Sequence, residues 1–244
     1  MYNAFAYIYD DLMRDVDYAA WSDYYLKIAN RFGVRPACAL ELGCGTASLS
    51  LEFSRRGVDM IGVDVSEDML AVAAKKCAGR NILLLNQNMA DFELYGTVDA
   101  VFASLDSVNY LTKKHDLRRM FALVNNYLNP GGIFVFDVNT EYKLRNVLGN
   151  NTFTYDDGEI CYIWHSAYNT KSRLCGFDLT FFVKNNEHYL RFDEMQQERA
   201  YAESEIIQAS CMEFLAAYEA LTFKAPREKS ERLVFVMREK GKLL

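Results

Sequence analysis

The chain has 244 residues, 51% hydrophobic and 25% charged, with a formal net charge of −6. That balance excludes disordered, collagen-like and coiled-coil classes, and it lacks the basic footprint of a dedicated nucleic-acid binder. The length suits one domain carrying an insertion, with a core that needs no disulfide or metal. Six cysteines (38, 44, 77, 161, 175 and 211) form no C-x-x-C pair, and only three histidines exist, so no metal site is expected. The cysteines read as reduced thiols in a cytoplasmic protein. No apolar run approaches the roughly 18 residues of a membrane span, and the acidic, aromatic start is unlike a signal peptide. The aromatic residues are unevenly spread: residues 1–25 and 151–201 hold 19 of the 34.

The opening reads as two helices, with Tyr2, Phe5, Tyr9 and Leu12 on one face and Trp21, Tyr24 and Ile28 on the next. Asp17 is the expected N-cap of the second and Gly33 its stop. From Ala37 the rhythm is strand, loop, helix. ACALEL ends in a glycine turn, SLSLEFSRRG is a helix, MIGVDV a strand, and Ser66 caps a helix to about Cys77. ILLLN, VDAVFAS and IFVFDV are further strands, with a helix near Asp116–Leu128 between the last two. Apolar strands alternating with helices predict a parallel sheet covered on both faces. After a short helix at EYKLRNVLG, the segments 159–170, 173–184 and 188–201 predict a three-stranded antiparallel meander. A helix with Ser204 as cap and Ile206, Ile207, Cys211, Phe214, Leu215 and Tyr218 on its face follows, then strands at EALTFK and RLVFVM. The chain thus divides into an α/β unit made of 1–148 and 202–244 and an antiparallel insert, 149–201.

The strongest chemical signal is Glu41-Leu42-Gly43-Cys44-Gly45-Thr46, where glycines let the backbone pass close under a ligand at the carboxyl end of a strand. Asp64, nineteen residues beyond Gly45, ends the second strand, where a carboxylate can accept both hydroxyls of a ribose. A dinucleotide site would want a sixth-position glycine, which is Ser48 here, and Glu41 would repel a pyrophosphate but attract an ammonium. S-adenosylmethionine carries an ammonium and no phosphate, so it is the cofactor the charges favour.

E-L-G-C-G-T followed by G-V-D-V-S resembles the first two motifs of class I SAM-dependent methyltransferases. VDAVFASLDSVNYL and LNPGGIFVFDV are similar to the motifs of that family's fourth and fifth strands, and the terminal strands to its antiparallel pair. The whole chain looks closer to a subgroup of small bacterial methyltransferases with a Tyr-rich first helix (Phe5–Asp10), an antiparallel insert and a segment like Arg191–Tyr201; the sugar N,N-dimethyltransferases are similar in layout. The resemblance implies a Rossmann-like seven-stranded, mostly parallel α/β sheet. It implies that Gly43, Cys44 and Gly45 pass beneath the cofactor, that Glu41 orients its ammonium and that Asp64 holds its ribose. Val65 and Met69 would pack on the adenine, Asn88-Met89 would stand where the family has Asp-Met, and Tyr9 would reach the carboxylate or sulfonium. Ala47 replaces a common glycine, and Gln196 stands where the subgroup commonly has histidine.

Leu105 and Asp106 follow the fourth strand, where donor meets acceptor; Asp106 could hold or deprotonate an amine, or cap a turn. His165 is a weaker catalytic candidate. The implied reaction is methyl transfer to a small molecule, N-methylation slightly favoured, with S-adenosylhomocysteine as product. RNA or protein methylation and a non-catalytic SAM-binding sensor or assembly factor stand as alternatives, and a homodimer is compatible with the class.

Overall fold

The computed structural model describes residues 4–241, so Tyr2 lies outside the described residues. Two helices open the chain, α1 (Ala4–Leu12) and α2 (Tyr18–Arg31). Asp17 caps α2, its Oδ1 accepting the Ala20 N–H at 2.8 Å, as expected of an aspartate just before a helix. The strands β1 (Cys38–Leu42), β2 (Asp59–Asp64), β3 (Ile82–Asn86), β4 (Val98–Ala103) and β5 (Leu128–Asn139) follow, with α3 (Ser48–Arg55), α4 (Glu67–Lys76) and α5 (Lys114–Tyr127) as crossovers. Ser66 caps α4 through the Met69 N–H.

After β5 come a π-helical turn at Lys143–Leu148, then β6 (Thr152–Asp156), β7 (Ile160–Asn169), β8 (Leu174–Asn185) and β9 (His188–Arg199). The chain ends with α6 (Glu203–Ala209), β10 (Glu213–Glu219) and β11 (Arg232–Arg238). Seven strands form one sheet in the order β10-β11-β5-β4-β1-β2-β3, in which only β11 runs against the rest. Its two faces carry separate cores. Leu40, Leu42, Phe134 and Phe136 meet α5 and α6 through Leu117, Phe121 and Ile206. Ala39, Phe102, Val135 and Val236 meet α2 and α3 through Tyr25, Ile28 and Phe53.

Three details depart from the sequence reading. The insert has four strands, not three, because Thr152–Asp156 pairs with β7 from Thr152↔His165 to Asp156↔Cys161. The final helix stops at Ala209, and its Ala202 N–H is capped by Glu205 at 3.0 Å, not by Ser204. The next strand is EFLAAYE rather than EALTFK, since pairing with β11 overrides the helical propensity of Phe214–Tyr218.

The inner face of the insert is aromatic and is closed at one end by α1. Phe5 and Ile8 pack with Ile160 and Phe181, with Tyr9, Tyr162, Phe192 and Met69 of α4 against them. Phe181 stacks on Phe192 with centroids 5.1 Å apart and touches Phe5 at 5.6 Å. At the other end Leu144 and Leu148 of the π-turn pack on Tyr168, Cys175 and Phe177. The insert is thus fastened at both ends, to α1 and α4 on one side and to the turn after β5 on the other.

Candidate active site

The turn after β1 is built around two left-handed glycines. At Gly43 (φ +68°) an added Cβ would lie 2.8 Å from Ser107 Cβ and Oγ, so the backbone there is pressed against the loop after β4. At Gly45 (φ +52°) a Cβ would meet nothing within 4 Å. Open space therefore lies over Gly45, and Asp64 borders it: its Oδ2 accepts the Gly45 N–H and its Oδ1 the Ser66 N–H, each at 2.8 Å. Burial raises the Asp64 pKa, opposed by these backbone donors. A bare backbone shelf with a strand-end carboxylate fits the adenosine of S-adenosylmethionine.

The other proposed contacts divide by environment. Val65 is 70% exposed at the rim and Met69 half-buried against α1. Met89 Cε lies 3.2 Å from the Cβ position of Gly43, so Met89 sits beside the glycine turn. Asn88 Oδ1 accepts the Ala90 N–H at 2.8 Å, and Asp91 pairs with Arg119 on the surface. Cys44 is buried with its sulfur against Gly62, which leaves its backbone for the turn. Ala47 is fully buried in a left-handed conformation (φ 59°), so the family's glycine preference here is a matter of backbone angle, worth roughly 1–2 kcal/mol.

Glu41 is 3% exposed and its Oε2 accepts the Ser50 hydroxyl of α3. Desolvation pushes its pKa up to about 8, against the pull of Ser50. Its carboxyl is therefore enclosed beneath the turn, where Asp64 raises its pKa further and where its own ionisation would oppose that of Cys44 and Tyr18.

The helix α1 is latched onto this turn. Asp10 Oδ1 accepts the Thr46 hydroxyl at 2.6 Å, and Lys76 Nζ reaches Asp10 Oδ2 at 2.5 Å, Ser48 Oγ at 2.8 Å and Thr46 Oγ1 at 2.9 Å. Tyr9, one residue earlier, is desolvated, and its hydroxyl pKa is raised further by Tyr18, Asp106 and Asp64. The tyrosine thus lies between the β2 end of the crevice and the β4 end.

At the β4 end the backbone is strained. Leu105 (φ 54°) and Asp106 (φ 63°) are consecutive left-handed residues, and neither is glycine. Each costs of order 1–2 kcal/mol relative to ordinary backbone. The Asp106 side chain caps no turn: its Oδ1 accepts from Arg232 Nη2, and its Oδ2 accepts no hydrogen bond among the described residues. Burial raises the Asp106 pKa while Arg232 opposes the shift.

Around Asp106 stands a recess of tyrosines and carboxyls. Tyr110 is 43% exposed, yet desolvation and then Asp106, Glu198, Tyr9 and Glu194 push its hydroxyl well up, as in a concave wall. Its hydroxyl donates to Gln196 Oε1 at 2.8 Å. On β9 the inward positions Phe192, Glu194, Gln196 and Glu198 replace the apolar face carried by β8, whose Phe177 and Leu179 pair opposite Gln196 and Glu194. Glu198 is 3% exposed, accepts from Asn139 Nδ2 at 2.9 Å, and is pushed to about 8 by burial and Asp106. Lys143 Nζ donates to Asn139 Oδ1 at 3.0 Å.

The structure therefore brings together Tyr9, Gly43, Gly45, Asp64, Met89, Leu105 and Asp106. It does not bring His165 among them. That residue is on the outer, exposed face of β7, its Nδ1 3.1 Å from Thr152 Oγ1, because strand alternation turns Trp164 and Ser166 inward instead. Tyr110, Lys143, Arg232 and the β9 pair Glu194 and Glu198 escape a sequence reading as a group because they come from four different elements. The inward acidic stripe Glu194/Gln196/Glu198 is the one legible signal, a polar face at period two.

A seven-stranded sheet with one reversed strand, a glycine turn after β1 and an acid ending β2 defines a class I SAM-dependent methyltransferase. Residues 39–132 match the family model described as a methyltransferase domain. A relative from Geobacillus sp. (strain WCH70) named as a methyltransferase is 33% identical, covering 98% of this chain and 99% of its own length. The crystal structure of an S-adenosylmethionine-dependent methyltransferase from Clostridium acetobutylicum superposes with a TM-score of 0.89 at 34% identity, covering 98% of this chain and 99% of that one. Over 126 residues, 52% of each chain, the sequence is 31% identical to dTDP-3-amino-3,4,6-trideoxy-alpha-D-glucopyranose N,N-dimethyltransferase from Streptomyces venezuelae. The chain belongs to the SAM-dependent methyltransferases, and S-adenosylmethionine is its cofactor.

Proposed function

We propose that the protein methylates the nitrogen of a small-molecule amine. The observation that carries this reading is the recess at the end of β4: Asp106 offers an unshared carboxylate oxygen between Tyr9 and Tyr110, with Glu194 and Glu198 nearby. Carboxylates and aromatic faces together attract a cationic or N–H-bearing group. The amino-sugar N,N-dimethyltransferase relative supports the same acceptor chemistry.

The cofactor, when bound, supplies a methyl group on a positively charged sulfonium. Gly43 and Gly45 form the shelf beneath it, and Asp64 accepts the ribose hydroxyls. Val65, Met69, Asn88 and Met89 border the adenine, and the Cys44 backbone completes the turn. Glu41, enclosed beneath the turn, ionises as the cofactor's ammonium binds and so supports that end, and Tyr9 with Leu105 bounds the space near the sulfonium. Asp106 holds an acceptor N–H so that the nitrogen lone pair lines up with the methyl carbon. The N–C bond forms as the C–S bond breaks, S-adenosylhomocysteine leaves, and the new ammonium loses its extra proton to solvent. A neutral amine needs alignment more than a base, and alignment alone can supply effective molarities of roughly 10⁵ M or more. An acceptor of this kind suits a cytoplasmic enzyme, in which the six cysteines, free in the structure, stay reduced.

Paired acceptors test the reading. Small amines and amino sugars are offered beside their hydroxyl counterparts, and S-adenosylhomocysteine is measured. Formation with amines and not with the hydroxyl partners is expected; turnover confined to hydroxyls, RNA or protein would overturn it.

A further inference from the structure

Asp137 ends the apolar run of β5 and is fully buried. Its four acceptor positions are all used. Oδ1 takes the Tyr25 hydroxyl and the Leu105 N–H, both at 2.7 Å; Oδ2 takes the Asp106 N–H at 3.0 Å and Arg232 Nη1. Arg232, from the reversed strand β11, spans Asp137 and Asp106 with its two terminal nitrogens and lies over the Trp21 ring at 6.0 Å. One buried carboxylate thus grips the two amides of a backbone pair that would not choose its left-handed conformation. The guanidinium fixes the side chain of the second member of that pair. Strain of this sort persists only where the surroundings over-determine it, and it gathers at working sites.

We infer that Asp137 and Arg232 are positioning residues for methyl transfer, clamping Leu105 and Asp106 at the point where acceptor meets donor. The inference rests on the assignment of Asp106 as the acceptor-holding group. Neither residue needs to touch the acceptor. Asp137 sets the backbone of the loop, and Arg232 sets the direction of the Asp106 carboxylate and opposes its protonation.

Asp137→Asn and Arg232→Met test this in the full chain. Asparagine can accept at only one oxygen, so the Leu105 and Asp106 amides should exchange faster with deuterium. The kcat with whichever acceptor the wild type methylates should fall on the order of 10- to 100-fold, the cost of a misplacement near 1 Å. Affinity for S-adenosylmethionine should change by less than about threefold, a small free-energy difference. In Arg232→Met the loss of the neighbouring cation lets Asp106 take a proton at higher pH, so the acidic limb of the kcat profile moves up. Should Asp137→Asn fail to fold, Arg232→Lys serves in its place. It keeps the charge but loses the two-pronged contact, and should lower kcat without moving that limb. Unchanged kcat, acidic limb and amide exchange, whether or not thermal stability drops, would overturn the clamp. A wild type that methylates only hydroxyls would overturn the amine reading instead, and the clamp would still be read from kcat and exchange.

Discussion

Glu41 is the one charged residue in the apolar strand β1, and the sequence alone made it a partner for an ammonium. The fold gives that carboxyl a different setting, under Ser50 and 3% exposed, where burial lifts its pKa to about 8. In the unfolded chain the group titrates near 4.3. The neutral form is thus favoured by folding, and the stability it contributes is complete below about pH 4 and is lost as pH rises through 8. Glu41→Gln removes this dependence. Thermal or denaturant unfolding of the ligand-free proteins should show the variant gaining on the wild type by about 1.4 kcal/mol per pH unit between pH 6 and 8. A difference that stays constant over that range would mean the carboxyl is ionised throughout. Asp64 and the glycine pair were legible because their chemistry is local: a turn and a strand end fix them. The role of Asp106 was only half legible, since its partner Arg232 is 126 positions away.

At the scale of elements, the sheet could be read because each buried strand is a short apolar run bounded by turn residues. Edges were harder. β6 is a polar-looking pentapeptide whose strand state comes from pairing with β7, and β10 is helical in composition but is drawn into the sheet by β11. The seam between α1 and the insert is likewise a tertiary fact. Phe181, fully buried, sits at its centre against Phe5, Tyr162 and Phe192. Phe181→Ala should cost about 3–5 kcal/mol if the seam is part of the cooperative fold. It should also release α1, read as faster amide exchange across Ala4–Leu12 and weaker cofactor affinity, since Tyr9 and Asp10 ride on that helix. Intact protection of α1 in the variant would show that the Asp10–Lys76 latch holds the helix unaided.

Across the whole molecule, the aromatic surplus outside the shared sheet has two uses. Phe5, Phe181 and Phe192 fasten the insert to α1, while Tyr9 lines the recess beside Asp106, where Tyr110 from the turn after β4 meets it. Composition located those residues but could not separate fasteners from lining, because that depends on which strand face turns inward. The acidic charge, too, is organised: carboxyls gather at both ends of one crevice, Asp64 at the end of β2 and Asp106 at the end of β4. In the function proposed above, the first holds the cofactor and the second the acceptor. Calorimetric titration of S-adenosylmethionine into Asp64→Ala and Asp106→Asn tests that division directly, and asparagine tolerates the left-handed conformation at 106. Loss of two charge-assisted hydrogen bonds should weaken binding to Asp64→Ala by on the order of 100-fold or more, with Asp106→Asn within a few-fold of wild type. Equal losses in the two variants, or a loss confined to Asp106→Asn, would contradict it.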